Sequence, residues 1–275
     1  IMMIGQTSPA AIAAVSLSVT WWVTVGVFSR NISKGLDPFV SQAYGERDDH
    51  AIKNYLFQGM YASLVWSVPY IGLLLLAASG LRLFGQPEEL MSNVTIYCTV
   101  LAVAVPFELS FFTFRQWLQN QRIVQPALIS IVVANVINAG LNWVLIYNYE
   151  LGVMGCALAT LGARLTQLFI LMALCYRIWL PLVKKYQKPD WGFQLPLLKF
   201  SIPIAAVIAL EGWGFVAASI MVGWVGTTAL AAHSIGLNIV STSFMFILGL
   251  SSAASTLVGN AVGSGKNWLP TLKVS

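Results

Sequence analysis

The sequence predicts an all-α, polytopic membrane protein. Three observations lead there. Of the 275 residues, 57% are hydrophobic and only 9% are charged, whereas soluble domains carry about 25% charged residues; the mean hydropathy is +0.76. The apolar residues gather into seven stretches, each close to or above the roughly 20 residues a spanning helix needs. Lysine and arginine fall almost entirely on every second connecting segment, the pattern that orients membrane proteins.

Taken in order, the spans are expected at 10–36, 54–79, 93–118, 126–147, 152–180, 197–223 and 228–258. The chain opens "IMMIGQ", read as the end of an earlier span with no signal peptide, and it stops in the basic stretch "GSGKNWLPTLKVS". It is therefore expected to be cut from a longer protein. The connecting segments are short, so neighbouring helices run antiparallel. The segments 46–53, 115–125, 177–199 and 264–275 hold 11 of the 15 Lys and Arg residues, and the opposite set holds only Arg82. The positive-inside rule places the first set in the cytoplasm, which makes the protein a multi-pass component of the plasma (inner) membrane. The longest of these segments, "KKYQKPDWGFQLP", carries charge and two prolines. It divides the chain into two expected bundles, 1–190 and 191–275.

An internal repeat supports that division. Slid against itself by 218 residues, the chain lays "IGQTSPAAIAAVSL" from Ile4 over "VGWVGTTALAAHSI" from Val222, and the register continues ungapped until Gly45 meets Gly263. Positions 3–45 hold 12 identities in 43. The repeat restarts after six helices, an even number, so both copies keep one orientation. Parallel repeats of this kind are related by an axis along the membrane normal, with a substrate site between them. "GLDPFVSQAYG" (35–45) closes the second helix of the first copy. Gly45 is expected to be its left-handed cap, with Gln42 satisfying free carbonyls and Asp37 within reach of Lys34 or Arg30.

These stretches resemble one family. "GLDPFVSQAYG" before a charged turn, "LRLFGQPEEL", "PALISIVVANVINAGLNWVLIY", "LGVMGCALAT" and "TTALAAHSIGLN" are similar, in order and spacing, to the MATE (multidrug and toxic compound extrusion) transporters. The resemblance covers essentially the whole chain. It implies a two-lobe bundle of about twelve helices, of which this chain holds the end of helix 1 and helices 2–8. It also implies a secondary antiporter that exports drugs or organic cations in exchange for H⁺ or Na⁺.

Polar groups inside the spans are the candidates for function, because a charge at the bilayer centre costs about 2.5–3.5 kcal/mol on insertion scales. Asn135, Asn138 and Asn142 recur at three and four residues and form one polar stripe; it reads as interhelical hydrogen bonding or as the wall of a hydrated pocket. The resemblance assigns positions 138, 142 and 160 to an ion site or proton-linked network, here Asn138, Asn142 and Thr160. Some family members carry an aspartate where this chain has Asn142, and an amide does not titrate. Gly155, Ala159 and Ala163 give a small-residue packing face. Glu108 and Arg115 share a face of one span, and Arg164 is isolated, with Glu108 or the asparagines as expected partners. Histidine is the side chain whose charge changes near neutrality, and His233 stands where family members often have one.

Trp117, Trp179, Trp191 and Trp224 are expected in an interfacial belt. Trp21, Trp22, Trp66 and Trp213 lie deeper and either pack against lipid or line a cleft for flat cations. Trp213, His233 and Gln42 are the candidate substrate-cleft residues. Glu211, in "VIALEGWGFVAA", lies near the middle of its span with no basic residue between Lys199 and Lys266. It is the candidate coupling group, binding a cation when ionised and releasing it when protonated.

No phosphate loop, paired-histidine metal motif or nucleophile triad is present, so no enzyme, metal or cofactor beyond the coupling ion is expected. Cys98, Cys156 and Cys175 read as small core residues. The net charge of +5 is too dispersed for nucleic acid, and a monomer is expected. Alternatives are a flippase for lipid-linked oligosaccharides, which would line its cavity with several basic residues, and a non-functional fragment. The visible cavity candidates, mainly amides and one acid, favour cationic cargo.

Overall fold

The computed structural model describes residues 9–183 and 188–267, which are almost entirely helical. The first span is longer than expected. Helix α1 (Pro9–Asn31) tightens into a 3₁₀ turn, Ile32–Leu36, and continues as α2 (Asp37–Glu46), so that one apolar unit runs from Ala10 to Glu46. Pro38 lies in the first turn of α2, where its missing N–H removes no intrahelical bond. Gly45 is not the cap: the helix runs past it, and the left-handed residue is Arg47, with φ 61°.

Helix α3 (Asp49–Leu75) starts at Asp48, whose carboxylate accepts from the backbone N–H groups of His50 at 3.0 Å and Ala51 at 2.9 Å, an ordinary N-cap. α3 breaks at Leu76 and bends 51° into α4 (Ala77–Leu83). A helix end frees its last carbonyls, and the Trp21 indole N–H takes that of Leu73 at 2.9 Å. Gly80 makes room for the same indole, which any Cβ there would strike.

Helix α5 (Met91–Asn120) is the centre of the bundle. It packs chiefly on α7 (Gly152–Leu174), α3 and α1. Trp117, expected in the interfacial belt, is fully buried and donates to the Ile52 carbonyl at 2.8 Å. α6 (Gln125–Trp143) ends in a π turn, Val144–Asn148. Gly155 of α7 sits beneath the Leu145 carbonyl, and Ala159 and Ala163 are buried behind it, as the small-residue face predicts. The three cysteines are buried and unpaired.

After α8 (Tyr176–Val183), α9 (Trp191–Val225) and α10 (Thr227–Gly263) complete the described chain. The start of α9 is tied to α3 through Gln58, which is 1% exposed. Its side chain accepts from the Asp190 N–H at 3.0 Å, donates to the Lys188 carbonyl at 3.0 Å and meets the Gln194 amide at 2.9 Å. Farther along, Ser201 of α9 fills the space that a side chain on Gly35 would need.

Helices α2 and α10 cross at their C-terminal ends through glycines. A Cβ on Gly45 would collide with the Asn260 carbonyl oxygen, a Cβ on Gly263 with the Gln42 carbonyl oxygen, and a Cβ on Gly259 with the Ser41 hydroxyl. The shift of 218 residues carries Gly45 to Gly263, Gln42 to Asn260 and Ser41 to Gly259. The first two contacts therefore exchange under the repeat, and the third maps onto itself. Reciprocity of this kind marks an isologous, two-fold type of contact.

Candidate functional site

Three of the cavities among the described helices bear on the candidate residues. The first, about 240 Å³, is enclosed by α1, α5, α6 and α7 and lined by Trp22, Tyr97, Asn135, Asn138, Thr160, Arg164 and Gln167 among others. Of the asparagine stripe, Asn135 and Asn138 reach the cavity; Asn142, one turn on and grouped with them by sequence, does not line it and donates to the Asn138 side-chain oxygen at 3.1 Å and to its backbone carbonyl at 2.9 Å. Thr160 spends its hydroxyl proton on the Cys156 carbonyl at 3.0 Å, and its oxygen is hydrogen-bonded with the Tyr97 hydroxyl.

The floor of this cavity is a feature the sequence did not reveal. The Arg164 guanidinium lies 5.0 Å from the Trp22 ring centroid and that of Arg30 lies 5.1 Å from the same ring. One indole thus carries two cations, an arrangement favoured electrostatically by the ring quadrupole. Arg164 also donates to Gln167 at 3.0 Å. Arg30 pairs with Glu108 at 3.2 Å, where Glu108 is 2% exposed and keeps one carboxylate oxygen without a partner. Glu108 therefore takes neither Arg115 nor Arg164, its two expected partners. Asp37 likewise pairs with neither Lys34 nor Arg30. It accepts from the side-chain amides of Asn120, at 2.8 Å, and Gln116.

The second cavity, about 290 Å³, is aromatic. Phe28, Trp66, Tyr70 and Trp213 line it with Pro69 and Leu73, and the Trp213 indole is fixed by donation to the Thr24 carbonyl at 3.0 Å. The third, about 740 Å³, opens between α1, α5 and α10. Its lining holds Arg30, Lys34, Arg115 and Arg122 and no acidic residue. This cavity departs from the expectation of amides and one acid.

The other candidates do not converge. Trp213 lines the aromatic cavity, but Gln42 is exposed at the end of α2 and meets Gly263 through its backbone carbonyl. His233 is half-buried on α10, with Nε2 buried and unpartnered. Glu211 is exposed on α9, with no hydrogen bond or ion pair among the described residues. Neither His233 nor Glu211 lines any of the three cavities. Glu211, near the middle of its span by sequence, is thus exposed within this chain.

Comparison with known proteins agrees with the fold. The MatE family model matches residues 1–144 and 203–268. The chain is 30% identical over 273 residues to a probable multidrug resistance protein NorM of Rhizobium meliloti (strain 1021), covering 96% of this chain and 58% of that protein. It is also 30% identical to multidrug and toxin extrusion protein 1 of Oryctolagus cuniculus, covering 95% of this chain and 46% of that one. Among solved structures, the eukaryotic MATE transporter AtDTX14 superposes with a TM-score of 0.83 at 21% identity, covering 96% of this chain and 60% of that one. The chain thus spans about half to three-fifths of the length of the relatives it matches.

Proposed function

The chain belongs to the MatE family, and on that premise we propose that it forms part of a plasma-membrane antiporter that exports drugs or organic cations in exchange for H⁺ or Na⁺. The observation that carries this reading is the first cavity. Amides, a hydroxyl and a guanidinium converge inside a membrane-spanning bundle, and intramembrane polar groups of this kind mark ion and proton pathways. Asn138 and Thr160 supply oxygens there, and Asn142 positions Asn138. The aromatic cavity, with Trp66 and Trp213, offers π faces to a flat cation. Glu211, two residues from Trp213 on α9, is the group assigned to coupling, and His233 and Gln42 remain in the proposed cleft between lobes. Residues 1–190 and 191–275 are proposed as those lobes, a division supported by the reciprocal α2–α10 contact. The loops at 46–53, 115–125, 177–199 and 264–275 face the cytoplasm in this reading. The unit is a monomer without cofactor or nucleic-acid partner.

The test is Glu211→Gln in the full-length protein, assayed by proton- or sodium-driven efflux of a cationic dye from everted vesicles. Export should be lost while expression and thermal stability are kept. Full export by this variant rejects Glu211 as the coupling group.

One observation favours a second reading. The basic lining of the third cavity is what a flippase for a lipid-linked pyrophosphate requires, and transport of such a lipid, not of cations, is the outcome that would establish it.

A further inference from the structure

The third cavity holds more positive charge than its surroundings cancel. Of its four cations, only Arg30 is ion-paired among the described residues. The two carboxylates that reach its lining residues from behind are engaged, Glu108 by Arg30 and Asp37 by the Gln116 and Asn120 amides. Lys34, Arg115 and Arg122 remain. The positive-inside rule accounts for basic residues at this end of the helices, but residues placed by it extend their charges outward to water and headgroups. Here Lys34 and Arg115 are half-buried and line the cleft, with Arg122 exposed at its mouth. Arg115 lies five residues before the end of α5, about 7.5 Å deeper than that end at 1.5 Å per residue.

The facing wall differs. Met245, Leu248, Ser252 and Thr256 recur at three and four residues along α10 and present one stripe to the cleft. The stripe is apolar over its first turn and carries two hydroxyls beyond. Like charges gathered at low dielectric repel strongly, and an organic or metal cation entering here would add to that repulsion. An anion relieves it, with arginine forks matched to phosphate or carboxylate oxygens. A small hydrophilic anion alone would leave the apolar stripe unused.

We propose that the cleft between α1, α5 and α10 binds an anionic amphiphile. Lys34, Arg115 and Arg122 hold its phosphate or carboxylate head, and Met245 and Leu248 line its apolar body. Under the second reading above such an amphiphile would also be the cargo; the present proposal concerns binding alone, so its test contains no transport step.

The full-length protein, purified in a neutral detergent, is titrated with dodecyl phosphate while Tm is followed. Dodecyltrimethylammonium and inorganic phosphate are run in parallel. Dodecyl phosphate should raise Tm saturably and the ammonium compound should not. Inorganic phosphate should act only weakly. The double variant R115Q/R122Q should weaken the dodecyl phosphate response by about tenfold or more, the size expected for lost charge-assisted contacts, and R115K/R122K, which keeps the charges but loses the forks, should fall between it and the unsubstituted protein. Native mass spectrometry of protein taken from phosphatidylglycerol–phosphatidylcholine nanodiscs separates the sources. Selective retention of phosphatidylglycerol, lost in R115Q/R122Q, identifies a membrane lipid. Its absence with the dodecyl phosphate response intact identifies a soluble amphiphile. Equal stabilisation by the ammonium compound, or an unchanged phosphate response in R115Q/R122Q, overturns the proposal. Should that double variant not fold, Lys34→Gln alone is titrated, and undiminished binding overturns it in the same way.

Discussion

Gly45 of α2 lies against the carbonyl oxygen of Asn260 in α10 with no room for a side chain between them. Its counterpart by the internal repeat, Gly263, makes the same contact with Gln42. The sequence pairs these residues by register, and the fold pairs them again in space with partners exchanged.

A methyl group at either glycine should push the helices apart. Gly45→Ala and Gly263→Ala should each destabilise the protein by about 1–3 kcal/mol, the usual range for overpacking, and by similar amounts. Gly236→Ala is the control. Nothing lies within 4 Å of its added methyl, so it should be neutral or stabilising by up to about 1 kcal/mol. Thermal unfolding of the purified variants decides. A costly change at Gly45 beside a harmless one at Gly263 would show that the contact is not reciprocal.

Gly45 also shows where sequence reading runs out. The helix spans were legible because apolar length is a local property, and the repeat because its register is ungapped. The end of α2 was not. Gly45 has the composition of a cap, but its conformational freedom is unused and its missing side chain is what matters, because Asn260 of α10, 215 residues away in sequence, crosses there. The broken carbonyls of α3 were hidden for a similar reason, since Trp21 reaches Leu73 from another helix. Among candidate site residues, Asn138 was legible because a three-and-four stripe fixes which way a helix faces, whereas Thr160, on another helix, came only from the family resemblance. The partners of Glu108, Arg164 and Asp37 were not, because each is supplied by helix packing or by a rotamer, and sequence spacing favoured other pairs.

The Arg30–Glu108 pair should respond asymmetrically to substitution. Glu108 is 2% exposed and already has one unpartnered oxygen. Arg30→Gln removes its cation and leaves a buried carboxylate uncompensated, a loss of about 3–5 kcal/mol in comparable pairs. Arg30→Gln with Glu108→Gln removes both charges, and the double variant should recover most of that loss. A double variant no more stable than Arg30→Gln alone would mean that Arg30 acts mainly through Trp22 and the Val23 carbonyl, to which it also donates at 3.1 Å.

The last prediction concerns water in the first cavity. Asn138 and Thr160 face it from α6 and α7, whereas Val132 and Val136 of α6 are exposed on the outside of the bundle, at 54% and 68%. A residue on the outer surface at this depth meets lipid, where a charged reagent does not go. Cys98, Cys156 and Cys175 are buried and, with any further native cysteine of the full-length protein, are replaced by alanine to give a silent background. Single cysteines at 138 and 160 should then react with a small cationic methanethiosulfonate in intact membranes, and cysteines at 132 and 136 should not. A ligand that fills the cavity should slow the first pair and leave the second unchanged. Labelling at 132 and 136 with protection at 138 and 160 would reverse the facing of α6, and with it the assignment of Asn138 and Thr160 to an ion pathway.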